Sequence, residues 1–330
     1  MGEIKLRQSN IELLRIIAIL FVLMGHVGMV MGLPSGVEIS QSPINTLTRL
    51  LFQSFAVGGV DIFVLISGWF GIRANSKGLA KYIYQVFFLL WGIYVVMLCM
   101  GETSLSVHGI KISLGLTKEY WFVMAYLGMY ILSPVLNAFC EDVSEKQLRN
   151  LLIVFYCFQS YFCWLSGFLN YFEGYSIVFF CGLYLTARYF RLYPMKIVNN
   201  NAWFIYIVCC LFVFCIASLG EWKICNALRM LRYDNPLVII SAISLLMAFS
   251  KWQIQCKFIN WLAASCFAVY IIHFNPFVFK YFKEGVLYIT NRINGIEFLI
   301  VLGVYIVFVF LVCVIIDQIR VFSWIKVFKQ

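Results

Sequence analysis

Apolar residues in this chain gather into ten runs long enough to cross a bilayer as helices, and no motif limits the fold as strongly. A helical crossing needs about 17 to 25 predominantly apolar residues. Runs of that kind occupy roughly residues 11–32, 47–72, 79–100, 120–139, 149–166, 173–190, 202–219, 234–250, 258–280 and 296–317. Of all residues 63% are hydrophobic and 12% charged, with a mean hydropathy of +0.89, against about 45–50% apolar and about 25% charged in soluble domains. The expectation is an all-α, polytopic integral membrane protein with about ten transmembrane helices. No linker, low-complexity tract or repeat divides it, so residues 1–330 read as a single transmembrane domain with no fused extracytoplasmic domain.

Short cytoplasmic loops retain Lys and Arg. With the N-terminus inside, fifteen of the 25 basic residues fall on the inner side, Arg73, Lys77 and Arg188 among them, and nine on the outer side, including Arg49, Arg229 and Arg232. An even number of spans places both termini in the cytoplasm. The first run is long and lacks a small-residue cleavage pattern, so it reads as a retained span. The expected location is a cell's inner (cytoplasmic) membrane, crossed several times. Bases at helix ends beside anionic headgroups account for the net charge of +10, and no basic run with interleaved aromatics marks a nucleic-acid surface. The twelve cysteines show no CxxC or Cys/His ligand spacing. They read as small packing residues, and no metal is expected.

Two residues in the first run are costly. Arg15 and His26 are eleven positions apart, about three helical turns, so they share one stripe roughly 16 Å apart along the axis. An ionised group at the bilayer centre costs roughly 2.5–3.5 kcal/mol on insertion scales, which makes function the default explanation. A plainer one is also open: Glu12 stands three residues before Arg15 and can pair with it, and His26 can be a bundle histidine satisfied by a neighbour. Asp61, in the second run, reads either as a hydrogen-bond anchor or as part of a polar site. Gly59, Ser67 and Gly68 allow another helix or a ligand to approach the backbone closely. With each span's midpoint at the bilayer centre, His26, Ser54, Tyr126 and His273 share an outer depth of roughly 5–8 Å, and Arg15 lies roughly 10 Å inward. Glu12 and Ser67 fall in that inner half, with Arg73 and Arg188 at the inner rim.

Arg15 to His26 and Gly59-Val60-Asp61-x-Phe63-x-x-x-Ser67-Gly68 are followed in order by three further segments. They are Trp121-Phe122-x-x-x-Tyr126-Leu127-x-x-Tyr130-x-Leu132-x-Pro134, Phe180-Cys181-Gly182-x-x-Leu185 and Phe267-Ala268-Val269-Tyr270-Ile271-Ile272-His273. Together they resemble the membrane acyltransferase family 3, which O-acylates cell-surface sugars, over almost the whole chain. One departure is that Arg73, Lys77 and Lys81 are dispersed where many members carry a dense Arg-rich stretch.

The resemblance implies transfer of an acyl group, usually acetyl, from cytoplasmic acyl-CoA (acetyl-CoA) as co-substrate. The acceptor is a hydroxyl of an extracytoplasmic cell-surface polysaccharide or its lipid-linked precursor. On that implication His26 is the general base, since a neutral imidazole suits deprotonation of a sugar hydroxyl, and Tyr126, Ser54 and His273 are oxyanion donors. Arg15 holds part of the CoA arm, with Glu12, Ser67, Arg73 and Arg188 around the donor, while Asp61, Gly59, Gly68 and Trp121 stay open between a structural role and a place in the site. Partners would be acyl-CoA, the glycan or lipid-linked sugar, the bilayer and glycan-assembly proteins. The same polar layers suit a transporter or flippase for a lipid-linked sugar, although no paired broken helices stand in matching halves. A scaffold in a glycan-assembly complex is the third reading.

Overall fold

The computed structural model describes residues 7–33, 41–167, 174–219, 227–293 and 295–328, and the elements among them are helical. In chain order they are α1 Ser9–Met31, α2 Pro43–Ala56, α3 Gly59–Phe70, α4 Ser76–Cys99, α5 Val107–Ser113, α6 Trp121–Asp142, α7 Glu145–Phe158 and α8 Ile177–Leu192. There follow α9 Lys196–Asn200, α10 Ala202–Leu219, α11 Ala227–Met230, α12 Pro236–Ser250, α13 Lys257–Ala263, α14 Cys266–His273, α15 Pro276–Arg292 and α16 Gly295–Phe328. A 3-10 turn, Lys118–Tyr120, precedes α6, and a π-helical stretch, Gln159–Leu165, follows α7.

Among the described residues six helical stretches are long and apolar enough to cross a membrane: Ser9–Met31, Pro43–Phe70, Ser76–Cys99, Val107–Asp142, Ala202–Leu219 and Gly295–Lys326. A seventh crossing would be Lys257–His273 with Pro276–Arg292, bent by 91°. The expected ten spans are therefore not found as ten long helices. Apolar runs do not report where a helix stops. Asn275 caps α15 through its side chain and Pro276 opens it, which turns the 258–280 run sharply. The run over 149–166 changes from α to π winding, and α8 and α12 are held to 16 and 15 residues by their N-caps Ser176 and Asn235. Packed among other helices, such short elements need not reach lipid on their own. Side chains such as Val304 and Ile315, each 64% exposed, form an apolar exterior that water would not tolerate on this scale. The chain is a multi-pass helical membrane protein.

The bundle is built around α1. It packs against α2, α3, α12, α13, α14, α15 and α16, and its first half is buried on nearly every side, from Ser9 to Ile19. Its entry is fixed by polar ties, since Asn10 Nδ2 donates to Phe249 O at 2.9 Å and Ser9 Oγ accepts from Cys256 N at 2.9 Å. The side of the bundle where α1 begins is here the near face, and the side where it ends is the far face. On the far face Glu102, in the loop after α4, pairs with Lys280 of α15, and that hydrogen bond lowers the pKa of its carboxyl.

Two glycines set the position of α3. A Cβ on Gly59 would lie 2.8 Å from Ala18 O of α1, and one on Gly68 would lie 2.4 Å from Tyr184 O of α8. Both contacts are with backbone, which cannot move aside. Gly68→Ala is expected to cost about 1–3 kcal/mol through overpacking, read as a lower unfolding midpoint in detergent. Gly92→Ala, where an added Cβ meets nothing within 4 Å, should leave the midpoint level or slightly raised. Equal midpoints for the two variants would contradict this packing.

Candidate active site

A cavity of about 570 Å³ occupies the far half of the bundle. Its wall is formed by α1 from Ile19 onward, the first turns of α3 and α6, the segment 229–233, and α14 with Phe274. All these stretches lie where α1 ends and α3, α6 and α12 begin. The deep end is marked by Ile19 and Cys266, and Ile19 is four residues, about 6 Å of helix rise, from Arg15.

His26 lines this cavity and His273 stands directly behind it. His26 Nδ1 and His273 Nε2 are 2.7 Å apart, and His273 Nδ1 is 2.6 Å from Val269 O. A carbonyl can only accept, so His273 Nδ1 carries a proton. In the neutral imidazole its Nε2 must then accept, so His26 Nδ1 donates into it. What remains is Nε2 of His26, bearing a lone pair and without a hydrogen-bond partner among the described residues. The ring is held by Phe274, stacked at 4.1 Å between centroids with 10° between planes. Phe274 is available for this because the helix ends at His273, ahead of the bend. His273 itself is buried and packs edge-on against Phe282.

The other sequence-derived candidates sit elsewhere. Tyr126 does not line the cavity. Its hydroxyl is 3.0 Å from Ser67 Oγ, and its ring packs in an aromatic layer with Tyr82, Phe122 and Phe267. Phe122 and Phe267 form part of the cavity wall, so Tyr126 and Ser67 lie behind it. Ser54 is buried and returns its hydroxyl to Leu50 O of its own helix at 2.9 Å. Both residues are therefore corrected as oxyanion donors for a substrate beside His26: depth along a helix does not say which way a side chain faces. Gln53, one residue earlier, does line the cavity. Its Nε2 lies 2.3 Å from where a Cβ of Gly28 would be and has no partner among the described residues.

The near half holds the candidate donor-side residues. Glu12 stands between Arg7 at 2.9 Å and Arg15 at 3.5 Å, so the plainer pairing reading of Glu12 and Arg15 is present in the geometry. Arg15 remains partly exposed, at 31% of its side chain. Arg188 lies against Gly71, the positive-φ residue that ends α3. That end is tied down by Tyr184, which accepts from Ile72 N and donates to Asn137, while Asn137 donates to Ile72 O. Arg73 is exposed on the same face. Asp61 is fully buried, with neither carboxylate oxygen hydrogen-bonded among the described residues, and is not part of the cavity wall. Among the described residues no group of three or more His, Cys, Asp or Glu is arranged to hold a metal.

Trp121 belongs to the cavity and not only to the frame. It meets Tyr175 at 4.2 Å and Tyr233 at 6.1 Å between ring centroids. Sequence reasoning missed Tyr175, Tyr233, Phe274 and Gln53, and saw Arg229 and Arg232 only as outer bases. A cluster of Arg-Tyr-Asp immediately before a capped helix was the available signal.

Fold and site together define a multi-pass helical membrane protein with a histidine-based polar centre in an intramembrane cavity. A family model for an acyltransferase domain, Acyl_transf_3, matches residues 8–318. The chain belongs to that acyltransferase family. No curated protein and no solved structure matches it.

Since Tyr126 and Ser54 do not face the cavity, Tyr126→Phe and Ser54→Ala are expected to keep most of the wild-type rate of acyl transfer, measured on purified protein. A loss as deep as that of a His26 variant would contradict their placement.

Proposed function

We propose that the protein is an O-acyltransferase of the cell's cytoplasmic membrane. It takes an acyl group, acetyl in the simplest case, from acyl-CoA at the near face and passes it to a hydroxyl of a cell-surface polysaccharide or lipid-linked sugar entering from the far face. The near face is then cytoplasmic, with both chain termini inside and ten membrane segments counted as spans. The observation that carries this reading is the relay from Val269 O through His273 to His26, which leaves a lone pair on His26 Nε2 at the wall of a far-side cavity.

In the reaction the acceptor O–H gives its proton to His26 Nε2 while the oxygen attacks the thioester carbonyl. The positive charge that forms on His26 is spread through Nδ1–H into the acceptor nitrogen of His273, whose own proton is anchored by Val269 O. The tetrahedral intermediate collapses with cleavage of the C–S bond, and the departing sulfur takes back the proton as CoA-SH. Gln53, on the cavity wall, is the amide that can turn toward the oxyanion. Arg15, one turn below the deep end, suits an oxygen-rich part of the CoA arm, and Arg73 and Arg188 at the near face suit its phosphates. The reaction as written uses neither a metal nor a nucleic acid. The acyl group alone crosses the bundle, while CoA and the sugar stay on their own sides.

Purified protein in nanodiscs supplied with labelled acetyl-CoA and acceptor glycan tests the assignment. His26→Ala should lower kcat by about 10²–10⁴-fold, the usual contribution of a general base. His273→Ala should lower it as well, because the tautomer of His26 is then no longer fixed. A folded His26→Ala protein transferring at the wild-type rate would overturn the base assignment.

A further inference from the structure

The wall of the cavity toward the far face points to an acceptor of a particular kind, and we infer that it is a site for an anionic sugar, one carrying a carboxylate or a phosphate near the hydroxyl to be acylated. This rests on the acyltransferase reading above and narrows its substrate. Three features carry it.

Trp121, Tyr175 and Tyr233 form a continuous aromatic wall, with Tyr175 and Tyr233 5.4 Å apart between centroids. The apolar C–H face of a pyranose packs well on such rings, leaving its hydroxyl edge free to reach polar groups. The cavity, at about 570 Å³, falls within the ~300–1,000 Å³ of small-ligand sites.

Charge supplies the second feature. Among the described residues the lining contains Arg229 and Arg232 and no carboxylate, but the charge of Arg232 is balanced by Asp234 beside it, so the cation that bears on a ligand is Arg229. Arg229 gives Nη1 to Leu165 O at 2.8 Å, and its Nε and Nη2 have no partner among the described residues. Arg232 is held in a two-pronged pair with the buried Asp234, at 2.8 and 2.7 Å, which fixes its guanidinium in place. An arginine fork matches a carboxylate or phosphate in plane and spacing, and attraction inside a cavity of low dielectric is stronger than on an open surface.

The third feature is how firmly the segment is held. Gln159, at the start of the π-helical stretch, donates to Asp234 O at 3.1 Å, Trp164 of the same stretch donates to Arg229 O at 3.0 Å, and Asn235 donates to Met230 O at 2.7 Å. Such departures from α winding recur at functional sites. Here the departure docks residues 229–235 with both arginines at the cavity.

The test uses the full chain in nanodiscs with labelled acetyl-CoA and two matched acceptor pairs. One is a glucuronate-containing tetrasaccharide and its carboxyl-reduced form; the other is a neutral sugar on polyprenyl diphosphate and the same sugar on an uncharged lipid. The anionic member of one pair should show a KM lower by about tenfold or more, the worth of a hydrogen bond to a charged group. Arg229→Gln should remove that difference by raising KM with little change in kcat, and Arg229→Lys should restore part of it. A preference in the first pair assigns a sugar carboxylate, and one in the second assigns the phosphate of a lipid-linked precursor. Equal KM values within both pairs, or a preference unchanged in Arg229→Gln, would overturn the anionic site while leaving acyl transfer standing. Absence of transfer to any acceptor would instead overturn the acyltransferase reading, and the inference with it.

Discussion

One hydrogen bond, 2.7 Å between His26 on α1 and His273 on α14, joins the two ends of the sequence at the centre of the fold. Its direction is dictated by a single backbone carbonyl. Because Val269 O can only accept, each imidazole in turn has one proton assignment, and the free lone pair ends on the nitrogen beside the cavity. A one-residue register change in α1 would swing His26 by about 100° and break the series. The surrounding structure prevents that: α1 is anchored at its start through Asn10 and Ser9, and α3 is pressed against it at Gly59.

On the proposed function the same arrangement separates two chemistries. An aromatic layer of Tyr82, Phe122, Tyr126 and Phe267 backs the cavity, with Ser67 bonded to Tyr126 behind it. A charged nucleotide handle has no reason to pass such a layer. The stretch of α1 from Arg15 to Ile19 is packed on nearly every side, so under the proposed function side chains there must part for an acyl-bearing arm to arrive at His26. On the proposed function, donor and acceptor then reach His26 from opposite faces.

Much of this was legible in the chain because helix geometry is periodic. The eleven-residue spacing of Arg15 and His26 correctly places them on one long helix, and the shared depth estimated for His26 and His273 agrees with their direct contact. Axial depth, however, carries no information about rotation. Tyr126 and Ser54 were placed at the right sort of height but face Ser67 and their own backbone. The membrane segments were read from apolar runs, which are blind to caps and bends such as Asn275-Pro276. Arg229, Arg232 and Tyr233 were not legible as cavity residues for a different reason: the bonds that bring them to the cavity come from Gln159 and Trp164, some 65 to 75 positions away. No local pattern encodes so distant a tie.

The proposed function has one helix serve a donor on one face and an acceptor on the other. Proteoliposomes with the near face turned inward, sealed around labelled acetyl-CoA and bathed in acceptor glycan, measure this directly. Label should appear on the external glycan while CoA stays inside the vesicles. Transfer that occurs only when donor and acceptor share a compartment would contradict the account.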